Sequence, residues 1–477
     1  MQSESIVKRR PRLRSIDNRG GERHASWLEL FFDLIFVLAV AQVAQVLNQD
    51  LSLTGWLEYL ALFAPVWWTW IGYSFYADRF ESDEVIFRLM MFAGMLAMAA
   101  LAVNVRGTFH GGDAELAISY VIVRAILIAL YLRAAYHVPL ARDLCVRYSI
   151  GFAIGNALWL ASIFVASPQR YLLWAAGFLI ELFTPLVNIQ VARRTPYDAS
   201  HIPERFGLFT LIVLGEAVLT ALNGVSGLDW HWRAAFVAAS GFIISTVIWW
   251  IYYEFVETSG LRTERISDTQ VYLYAHFPIS FGIAAIGVVT QHAVREASEV
   301  AFSAAVRWTL GGSIALFLLA ITAIRLSVGR QHLVWVRMIT AALLLLLAYF
   351  GKAIEPFVFI SLLIAMLIAE VWLESHREQQ VREEESQHSA TDQSPSCTHL
   401  KQIHNVTPQS EGCEECVKGH YQWVHLRMCQ VCGHVGCCDS SKYKHATGHF
   451  HETGHPIMKS IEPGENWSWC YIDEKFV

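Results

Sequence analysis

Long apolar runs alternate with short polar breaks along most of the chain, from Trp27 to Trp372. Each run has about 20 residues, which as a helix rising ~1.5 Å per residue is long enough to cross ~30 Å of hydrocarbon. The pattern therefore predicts a mainly α fold, a polytopic helical membrane bundle of about twelve spans. The predicted spans are 27–47, 55–76, 85–105, 115–135, 147–166, 171–190, 207–225, 231–254, 270–292, 302–324, 333–350 and 354–373.

The sequence also contains an internal repeat, since three sets of similar residues recur at nearly the same spacing. They are Glu22-Arg23 with Glu204-Arg205 and Trp67-Trp68 with Trp249-Trp250 at 182 residues, and Arg124 with Arg307 at 183. Each match falls at an equivalent place in a span, which coincidence explains poorly. We therefore predict two six-span repeats, about residues 22–200 and 204–374, inserted the same way up and related by a pseudo-twofold axis along the membrane normal.

The composition sets the class of protein and its segments. Hydrophobic residues make up 54% of the 477 residues and charged residues 16%, with mean hydropathy +0.36, which favours a lipid bilayer as the main surroundings. The net charge of −6 does not indicate a nucleic-acid partner. The first apolar run lacks a small-residue cleavage site and is expected to remain as an anchor. The predicted segments are a basic cytoplasmic tail at 1–26, a membrane domain at 27–374, a charged linker at 375–396 and a cysteine-rich segment at 397–477.

The distribution of Lys and Arg predicts the orientation. With the basic tail in the cytoplasm, the inner side receives Arg79, Arg133, Arg142, Arg147, Arg193, Arg194, Arg205, Arg262, Arg265, Arg325 and Arg330, and the outer side only Arg106, Arg170, Arg233, Arg295 and Lys352. Both termini are then cytoplasmic. Eight of the nine cysteines lie between Cys397 and Cys470, and in a reducing compartment such a cluster favours metal binding over disulfides.

Three carboxylates interrupt the apolar runs. Glu29 and Asp33 are four residues apart and share one helix face, whereas Glu216 is predicted to lie ~14 Å inside its span. A carboxylate at such a depth costs several kcal/mol unless it is protonated, paired or facing water, so all three should face the bundle interior. Arg124 and Arg307 lie within their own spans and are the expected partners.

Two interpretations of these buried groups remain open. They could be internal salt bridges that join helices, or they could line a path for an ion, a proton or a small solute. Glu181 and His276 share this ambiguity, although a hydrogen-bonded helix contact is the more common state of a single membrane histidine. The pair Trp67-Trp68 and its counterpart in "WWIYY" are interpreted as interfacial belt residues.

The stretches "RHASWLELFFDLIFVLAVAQVA" and "PERFGLFTLIVLGEAV" closely resemble the bacterial low temperature requirement A family. The resemblance covers roughly residues 20–375. It implies a polytopic inner-membrane protein, and because the family has no established biochemical activity it supplies no substrate.

Beyond residue 396 the cysteines and histidines have the spacing of metal ligands. The order is "CTH", "CEEC", "CQVCGHVGCC", "HATGHFHETGH" and "WCYID". A CxxC pair presents two thiolates from one turn, and zinc takes four such ligands in a tetrahedron. Two CxxC pairs with a downstream histidine cluster therefore predict a small α+β zinc-binding domain rather than structural core cysteines, and the number of ligands suits about three zinc ions.

This arrangement resembles the ubiquitin-protease-type (UBP-type) zinc finger over residues 397–477. The resemblance implies three ligand sets, namely Cys413, Cys416, Cys437 and His445, then Cys429, Cys432, His449 and His455, and finally Cys397, His399, Cys470 and Asp473. Asp473 takes the position of a cysteine in the last CxxC of the family. The adjacent Cys438 leaves open which thiol of the doublet binds.

In the family members that bind the C-terminus of ubiquitin, an arginine and nearby aromatic residues form the pocket. Trp469 and Tyr471 match the aromatic positions, but "CCDSSKY" stands where the arginine would be, which argues against ubiquitin. The segment could instead recognise another cytosolic protein or peptide C-terminus. A zinc-stabilised fold that only docks to a partner or to the membrane domain is the open alternative.

Three classes of function follow. A transporter or permeation protein for a small solute or ion fits the repeats and the buried charges. A membrane-anchored sensor or adaptor would signal through the zinc finger without transport. An enzyme is the weakest class, since no catalytic constellation is evident, and we expect none. A polar central cavity would favour transport, whereas a dry and fully paired cluster would favour the sensor.

Overall fold

The computed structural model describes residues 10–13, 25–81, 84–109, 111–193, 195, 201–224, 232–255, 266–327, 334–391, 397–462, 465 and 467–477. Most of the predicted basic tail, including Glu22-Arg23 of the repeat, lies outside these residues, as do 392–396 of the linker. The chain divides into two compact units, Met1–Arg377 and Glu378–Val477.

The first unit is a bundle of long helices, as the apolar runs predicted. They are α1 Trp27–Gln49, α2 Leu53–Arg79, α3 Val85–Asn104, α4 Asp113–His137, α5 Arg142–Ser162, α6 Arg170–Val187, the short α7 Ile189–Ala192, α8 His201–Asn223, α9 Trp232–Phe255, α10 Ile266–Arg295, α11 Ala304–Ser327, α12 Val334–Phe350 and α13 Pro356–Thr391. Among the described residues, eleven helices are long and apolar enough to cross a membrane. The helix α2 has 27 residues but is less hydropathic than these, because it carries four Trp and three Tyr.

The starts of α1 and α8 account for the positions of Glu29 and Arg205. At the start of α1, Ser26 and Glu29 form a capping box, in which each side chain accepts a hydrogen bond from the other residue's backbone N–H. Glu29 is therefore fixed at the first turn. The helix α8 begins at His201, before its predicted start at 207, and so contains Arg205. The predicted assignment of Arg205 and Arg325 to loops was wrong, since both side chains are buried within helices.

Four helices, α1, α2, α8 and α10, form the centre, and each contacts the other three. One of these contacts is a hydrogen bond of 2.9 Å from the Tyr59 hydroxyl on α2 to the carbonyl oxygen of Phe281 on α10. Around this centre α3 packs on α4 and α4 on α5, as α10 packs on α11 and α11 on α12. The two six-span repeats themselves stay a prediction.

The second unit is a small α+β domain. Its five-stranded antiparallel sheet has the order β4-β3-β5-β6-β7, and a separate two-stranded sheet pairs β1 with β2 in the first unit. The elements are β1 Arg12–Leu13, β2 Phe80–Glu81, β3 Leu426–Cys429, β4 Val435–Cys437, β5 Ile457–Ser460, β6 Ser468–Cys470 and β7 Lys475–Phe476, with α14 Glu414–Gly419 and α15 His445–Thr453. Among the described residues, its apolar clusters consist largely of buried cysteines, so we expect metal binding to contribute much of its stability.

Candidate metal centres and buried charge cluster

The first metal centre joins the turn before α14 to the start of α15. Cys413 caps α14, Cys416 lies one turn later, Cys437 ends β4 and His445 begins α15. The Nδ1 atom of His445 lies 3.2, 3.3 and 3.4 Å from the Sγ atoms of Cys413, Cys416 and Cys437. Around a tetrahedral zinc with Zn–S of ~2.3 Å and Zn–N of ~2.0 Å, sulfur and nitrogen are about 3.5 Å apart. The four side chains therefore fit zinc.

The second centre uses a tight turn and a helix end. Cys429 and Cys432 flank a turn closed by a 2.9 Å hydrogen bond from the Gly433 N–H to the Cys429 carbonyl, and φ at Gly433 is +83°. His449 follows on α15 and His455 lies just beyond the helix end. The Nε2 atom of His449 is 3.4 Å from the Cys432 Sγ and 3.3 Å from the His455 Nδ1, and the latter is 3.5 Å from the Cys429 Sγ. These separations also fit one tetrahedral zinc.

The third centre contains the carboxylate that replaces a thiol. The Nδ1 atom of His399 lies 3.6 Å from the Sγ atoms of both Cys397 and Cys470, and 3.4 Å from Oδ2 of Asp473. A hydrogen bond from the Cys397 thiol lowers the pKa of Asp473, so the carboxylate is ionised at neutral pH and fit to bind a cation. All twelve predicted ligands thus fall into three groups of four.

The adjacent Cys438 belongs to none of these groups. Its Sγ lies 3.6 Å from the Ser441 Oγ and 4.0 Å from the His425 Nδ1, whereas Cys437 faces the first centre. Cys437 is therefore a candidate metal ligand, whereas Cys438 lines a nearby cleft. In the second centre, burial raises the pKa of Cys429 to about 11 in the absence of metal.

That cleft, of about 220 Å³, contains both predicted pocket residues, Trp469 and Tyr471. It also contains an arginine that the sequence did not reveal as part of the pocket. Arg427 on β3 lies with its guanidinium 4.5 Å from the ring centre of Trp467, and it donates to the Ser460 Oγ at 3.0 Å. The cleft is thus aromatic, with one arginine and one carboxylate, Asp439, in its lining, and Arg427 also lies 3.5 Å from Glu465. The stretch "CCDSSKY", where the family has its arginine, contains none.

A group of buried ionisable side chains lies where α1, α2 and α8 meet. We call it the charge cluster, and it consists of Glu29, Asp33, Asp78, His201 and Arg205. Asp33 is 0% exposed. Its Oδ1 accepts hydrogen bonds from the Arg205 Nη2 at 2.6 Å and the Trp70 Nε1 at 2.7 Å. The Nη1 atom of Arg205 lies 3.3 Å from the Glu29 Oε1. One guanidinium therefore serves both carboxylates on this face of α1.

His201 extends the charge cluster to α2. Its Nδ1 is 2.9 Å from Oδ1 of Asp78, and its Nε2 is 3.8 Å from Oε2 of Glu29. All three side chains are buried. Imidazole is the side chain whose ordinary pKa lies nearest neutral pH. The position of His201 was not apparent from the sequence, because this residue follows a polar stretch that resembles a loop.

The predicted pairing of Arg124 and Arg307 with Glu29, Asp33 and Glu216 was wrong. Arg124 lies 2.8 Å from Oε2 of Glu181, with both side chains 0% exposed, and Tyr120 donates to the same carboxylate oxygen at 2.8 Å. Arg307 donates to the backbone carbonyls of Phe302 and Ala348. The reason is packing, since α4 lies beside α5 and near α6 rather than opposite Asp33.

Glu216 and His276 have separate surroundings. Glu216 is half-buried and accepts a 3.2 Å hydrogen bond from the hydroxyl of Thr220, one turn further along α8. His276 is buried, with its Nε2 2.9 Å from the Tyr252 hydroxyl and its Nδ1 2.7 Å from the Tyr272 carbonyl. His276 is thus a hydrogen-bonded helix contact, and neither residue joins the charge cluster within the described part of the chain.

Another group of ion pairs, on the last two helices of the membrane domain, was not predicted from the sequence. Arg337 on α12 contacts Glu370 and Glu374 on α13, with its Nε 3.5 Å from the Glu370 Oε1, and all three side chains are buried. Buried charges therefore occur in more places than the predicted path, which shows that burial of a charge in this bundle is not by itself a functional signal.

The first tryptophan pair, Trp67-Trp68, differs from its predicted role. Trp67 and Trp68 are 3% and 5% exposed in the middle of α2, so they belong to the interior rather than to an interfacial belt. Their counterparts Trp249 and Trp250 are 44% and 49% exposed on α9. The first pair packs against α10, where Phe277 meets Trp67 edge-on at 5.3 Å between ring centres.

Comparison with known proteins accounts for most of the chain. A family model described as bacterial low temperature requirement A protein (LtrA) matches residues 24–371, and one described as Zn-finger in ubiquitin-hydrolases and other protein matches 413–477. The uncharacterized protein RA0937 of Rhizobium meliloti (strain 1021) is 27% identical over 275 residues, which are 54% of this chain and 67% of that protein. The solution NMR structure of protein RPA1320 from Rhodopseudomonas palustris is 59% identical, covers 17% of this chain and 78% of its own, and has a TM-score of 0.16. This chain belongs to the bacterial low temperature requirement A family of membrane proteins and carries a zinc-binding UBP-type finger at its C-terminus.

Proposed function

We propose that the membrane domain is a non-enzymatic transporter or permeation protein for a small solute or ion, in which the charge cluster holds the proton that couples movement. The observation that carries this proposal is the contact between His201 and two carboxylates, Asp78 on α2 and Glu29 on α1. Buried ionisable groups of this kind are costly in a membrane protein and are typical of proton relays.

The position of the charge cluster supports the same proposal. Its members come from the start of α1, the end of α2 and the start of α8, so they connect the first predicted repeat to the second at one end of the bundle. In transporters built from repeats, one half rocks against the other around a fixed site. Protonation of His201 or a carboxylate changes the ion pairs that cross this boundary, and thereby favours one arrangement over the other.

Proton movement tests the proposal without knowledge of the solute. The full-length protein is reconstituted into liposomes that contain a pH-sensitive dye, and an external pH step is applied with potassium and valinomycin present to balance charge. We expect proton entry above that of empty liposomes, and its loss in His201→Gln and Asp33→Asn. Asp143→Asn is the control, because Asp143 forms an exposed ion pair with Arg147. Proton entry that is the same in the native protein and in both variants would contradict a role of the charge cluster in proton movement.

A sensor or adaptor remains the second candidate for the membrane domain. It is favoured by the pairing of Asp33, Arg205 and Glu29 with one another in a site closed to solvent, which suits a switch as well as a closed transporter. In that case the His201→Gln variant would change the response of the zinc-finger segment without any flux. Proteolysis of that segment in the same liposomes, at pH 6 and pH 8, distinguishes the two.

For the location, we propose the bacterial inner membrane with both termini in the cytoplasm. Support comes from the excess of arginine in alternate loops and from the thiol-rich C-terminal segment, which suits a reducing compartment. Reporter fusions after Ser389 and within residues 107–114 should report opposite sides of the membrane. A finding of both on one side would refute this orientation.

For the zinc finger, we propose that its cleft binds the free C-terminus of a cytosolic peptide or protein. Support comes from Arg427, which lines the cleft together with Trp467, Trp469 and Tyr471. Its Nη1 lies 3.5 Å from Oε2 of Glu465, a partly exposed carboxylate that a peptide C-terminus would replace. A fluorescent pool of random peptides with free carboxylates should bind more tightly than the same pool with C-terminal amides. Arg427→Gln should abolish the difference, and Lys418→Gln, at an exposed position on α14 outside the cleft, should retain it. Equal binding of both pools would exclude carboxylate recognition.

A further inference from the structure

The ligands of the first and second metal centres alternate along the chain. In sequence order they are Cys413 and Cys416 of the first centre, Cys429 and Cys432 of the second, Cys437 and His445 of the first, and His449 and His455 of the second. Each centre therefore closes a loop that contains two ligands of the other. Metal bound in one centre restricts the segment that carries those ligands, so the geometries of the two centres are linked. The third centre takes its ligands from the two ends of the segment, outside this alternating order.

One side chain outside the ligand groups, His434, contacts the second centre directly. It lies between Cys432 and Cys437 in the sequence. Its ring stacks on the ring of His449, with 4.2 Å between ring centres and 8° between planes. Its backbone carbonyl accepts a 2.9 Å hydrogen bond from the Cys429 N–H, which helps to close the turn of the second centre. His434 therefore supports two ligands of that centre, one through its ring and one through its backbone.

The same imidazole also contacts the segment that carries two thiols of the first centre. The Nδ1 atom of His434 lies 3.2 Å from Oε1 of Glu414, and its Nε2 lies 3.1 Å from Oε1 of Glu415. These glutamates stand between Cys413 and Cys416 in the first turn of α14. The His434 side chain is 11% exposed, so water competes little for its polar atoms. One ring thus joins the CxxC segment of the first centre to a histidine ligand of the second.

We propose that His434 is a positioning residue that couples zinc binding at the first and second centres, so that loss of the ion from one weakens the other. The first centre fixes α14, and α14 holds its two glutamates against the His434 ring. The ring in turn keeps His449 in the orientation that its zinc ion requires. Residues that orient metal ligands in this way change metal affinity by about 10–100-fold. The third centre stays independent of this coupling.

Alkylation of the cysteines resolves the three centres in the intact protein, because a bound zinc ion protects its thiolates. The full-length protein in detergent is equilibrated at a series of buffered free zinc concentrations and pulsed with N-ethylmaleimide, and the cysteine peptides are quantified by mass spectrometry. Cys437→Ser removes a ligand of the first centre and should raise the free zinc that half-protects Cys429 and Cys432 about tenfold. Protection of Cys397 and Cys470 should not change. No shift at the second centre, or an equal shift at the third, would overturn the proposal.

A second substitution then tests whether His434 carries the coupling. His434→Phe keeps a ring that can stack on His449 but loses both carboxylate contacts, so it should reduce the effect of Cys437→Ser from about tenfold to less than about twofold. His404→Phe, at an exposed position of the same domain, is the matched control and should leave the effect at tenfold. A residue that only stabilises the fold would lower protection in all three centres without changing the coupling. A tenfold effect that persists in His434→Phe would therefore overturn the role of His434.

Discussion

Asp33 on α1 accepts a hydrogen bond of 2.6 Å from Arg205 on α8, and both side chains are closed to solvent. The two residues are 172 positions apart in the sequence and belong to different predicted repeats. Since a buried ion pair gains little over apolar packing but costs much when one partner is lost, this contact fixes how α1 and α8 lie against each other.

Removal of one charge from this pair should destabilise the bundle. Asp33→Asn keeps the size of the side chain but leaves the Arg205 guanidinium with less compensation, for an expected cost of about 3–5 kcal/mol. The double variant Asp33→Asn/Arg205→Gln should cost less than the sum of the two single variants, because no unpaired charge remains. Thermal unfolding in detergent measures this. The exposed Asp143→Asn is the control, with an expected change under about 1 kcal/mol.

The helices could be predicted from the sequence, whereas the contacts between them could not. The spans followed from apolar length alone, which is a local property, and the zinc-binding segment followed from its two CxxC pairs and the histidines downstream. The division of the ligands into three groups followed from the resemblance to the UBP-type zinc finger. Arg205 was assigned to a loop because "TPYDASHIPER" is polar, although α8 already includes it. The partner of Arg124 could not be derived, because the sequence does not state which helices become neighbours.

The zinc finger shows the same limit on a smaller scale. Its ligand groups were predictable, yet the choice of Cys437 over Cys438 depends on which way β4 faces when it pairs with β3. Arg427 escaped notice for a related reason. It comes near Trp467 only because β3 pairs with β5, opposite Ser460, and the chain then turns back towards β6.

Close approach of α5 and α6 gives a second prediction. A Cβ atom at Gly155 would lie 2.7 Å from the Gly177 carbonyl oxygen and 2.6 Å from Cγ of Glu181. Gly155→Ala should therefore push the two helices apart and destabilise the bundle by roughly 1–3 kcal/mol. At Gly312 on α11 no atom lies within 4 Å of such a Cβ, so Gly312→Ala should be neutral or stabilise by up to about 1 kcal/mol. Equal melting temperatures of the two variants would contradict this packing.

The adjacent residues Cys437 and Cys438 allow the assignment of the metal ligands to be tested. Elemental analysis of the full-length protein should give about three zinc ions per chain, one for each group of four ligands. Cys437→Ser should lower the number to about two, whereas Cys438→Ser should leave it at three. Asp473→Ala should also lose one ion if the carboxylate completes the third centre. Retention of three ions in Cys437→Ser would show that the assignment of the doublet is wrong.

Zinc binding should also release protons in proportion to the number of cysteine ligands. Burial raises the pKa of both Cys429 and Cys397 to about 11 in the metal-free protein, so these thiols carry protons at pH 7, and zinc binds the thiolate. The three groups contain seven cysteines, and the ionised Asp473 releases no proton. Addition of three zinc ions at pH 7 should therefore release about seven protons, measured by titration in weak buffer.

Because protons compete with zinc, the zinc affinity should fall as the pH falls, by about tenfold per pH unit for each thiolate in a centre. The first centre, with three cysteines, should lose zinc affinity more steeply than the other two, and an equal slope in Cys437→Ser and the native protein would refute its ligand set.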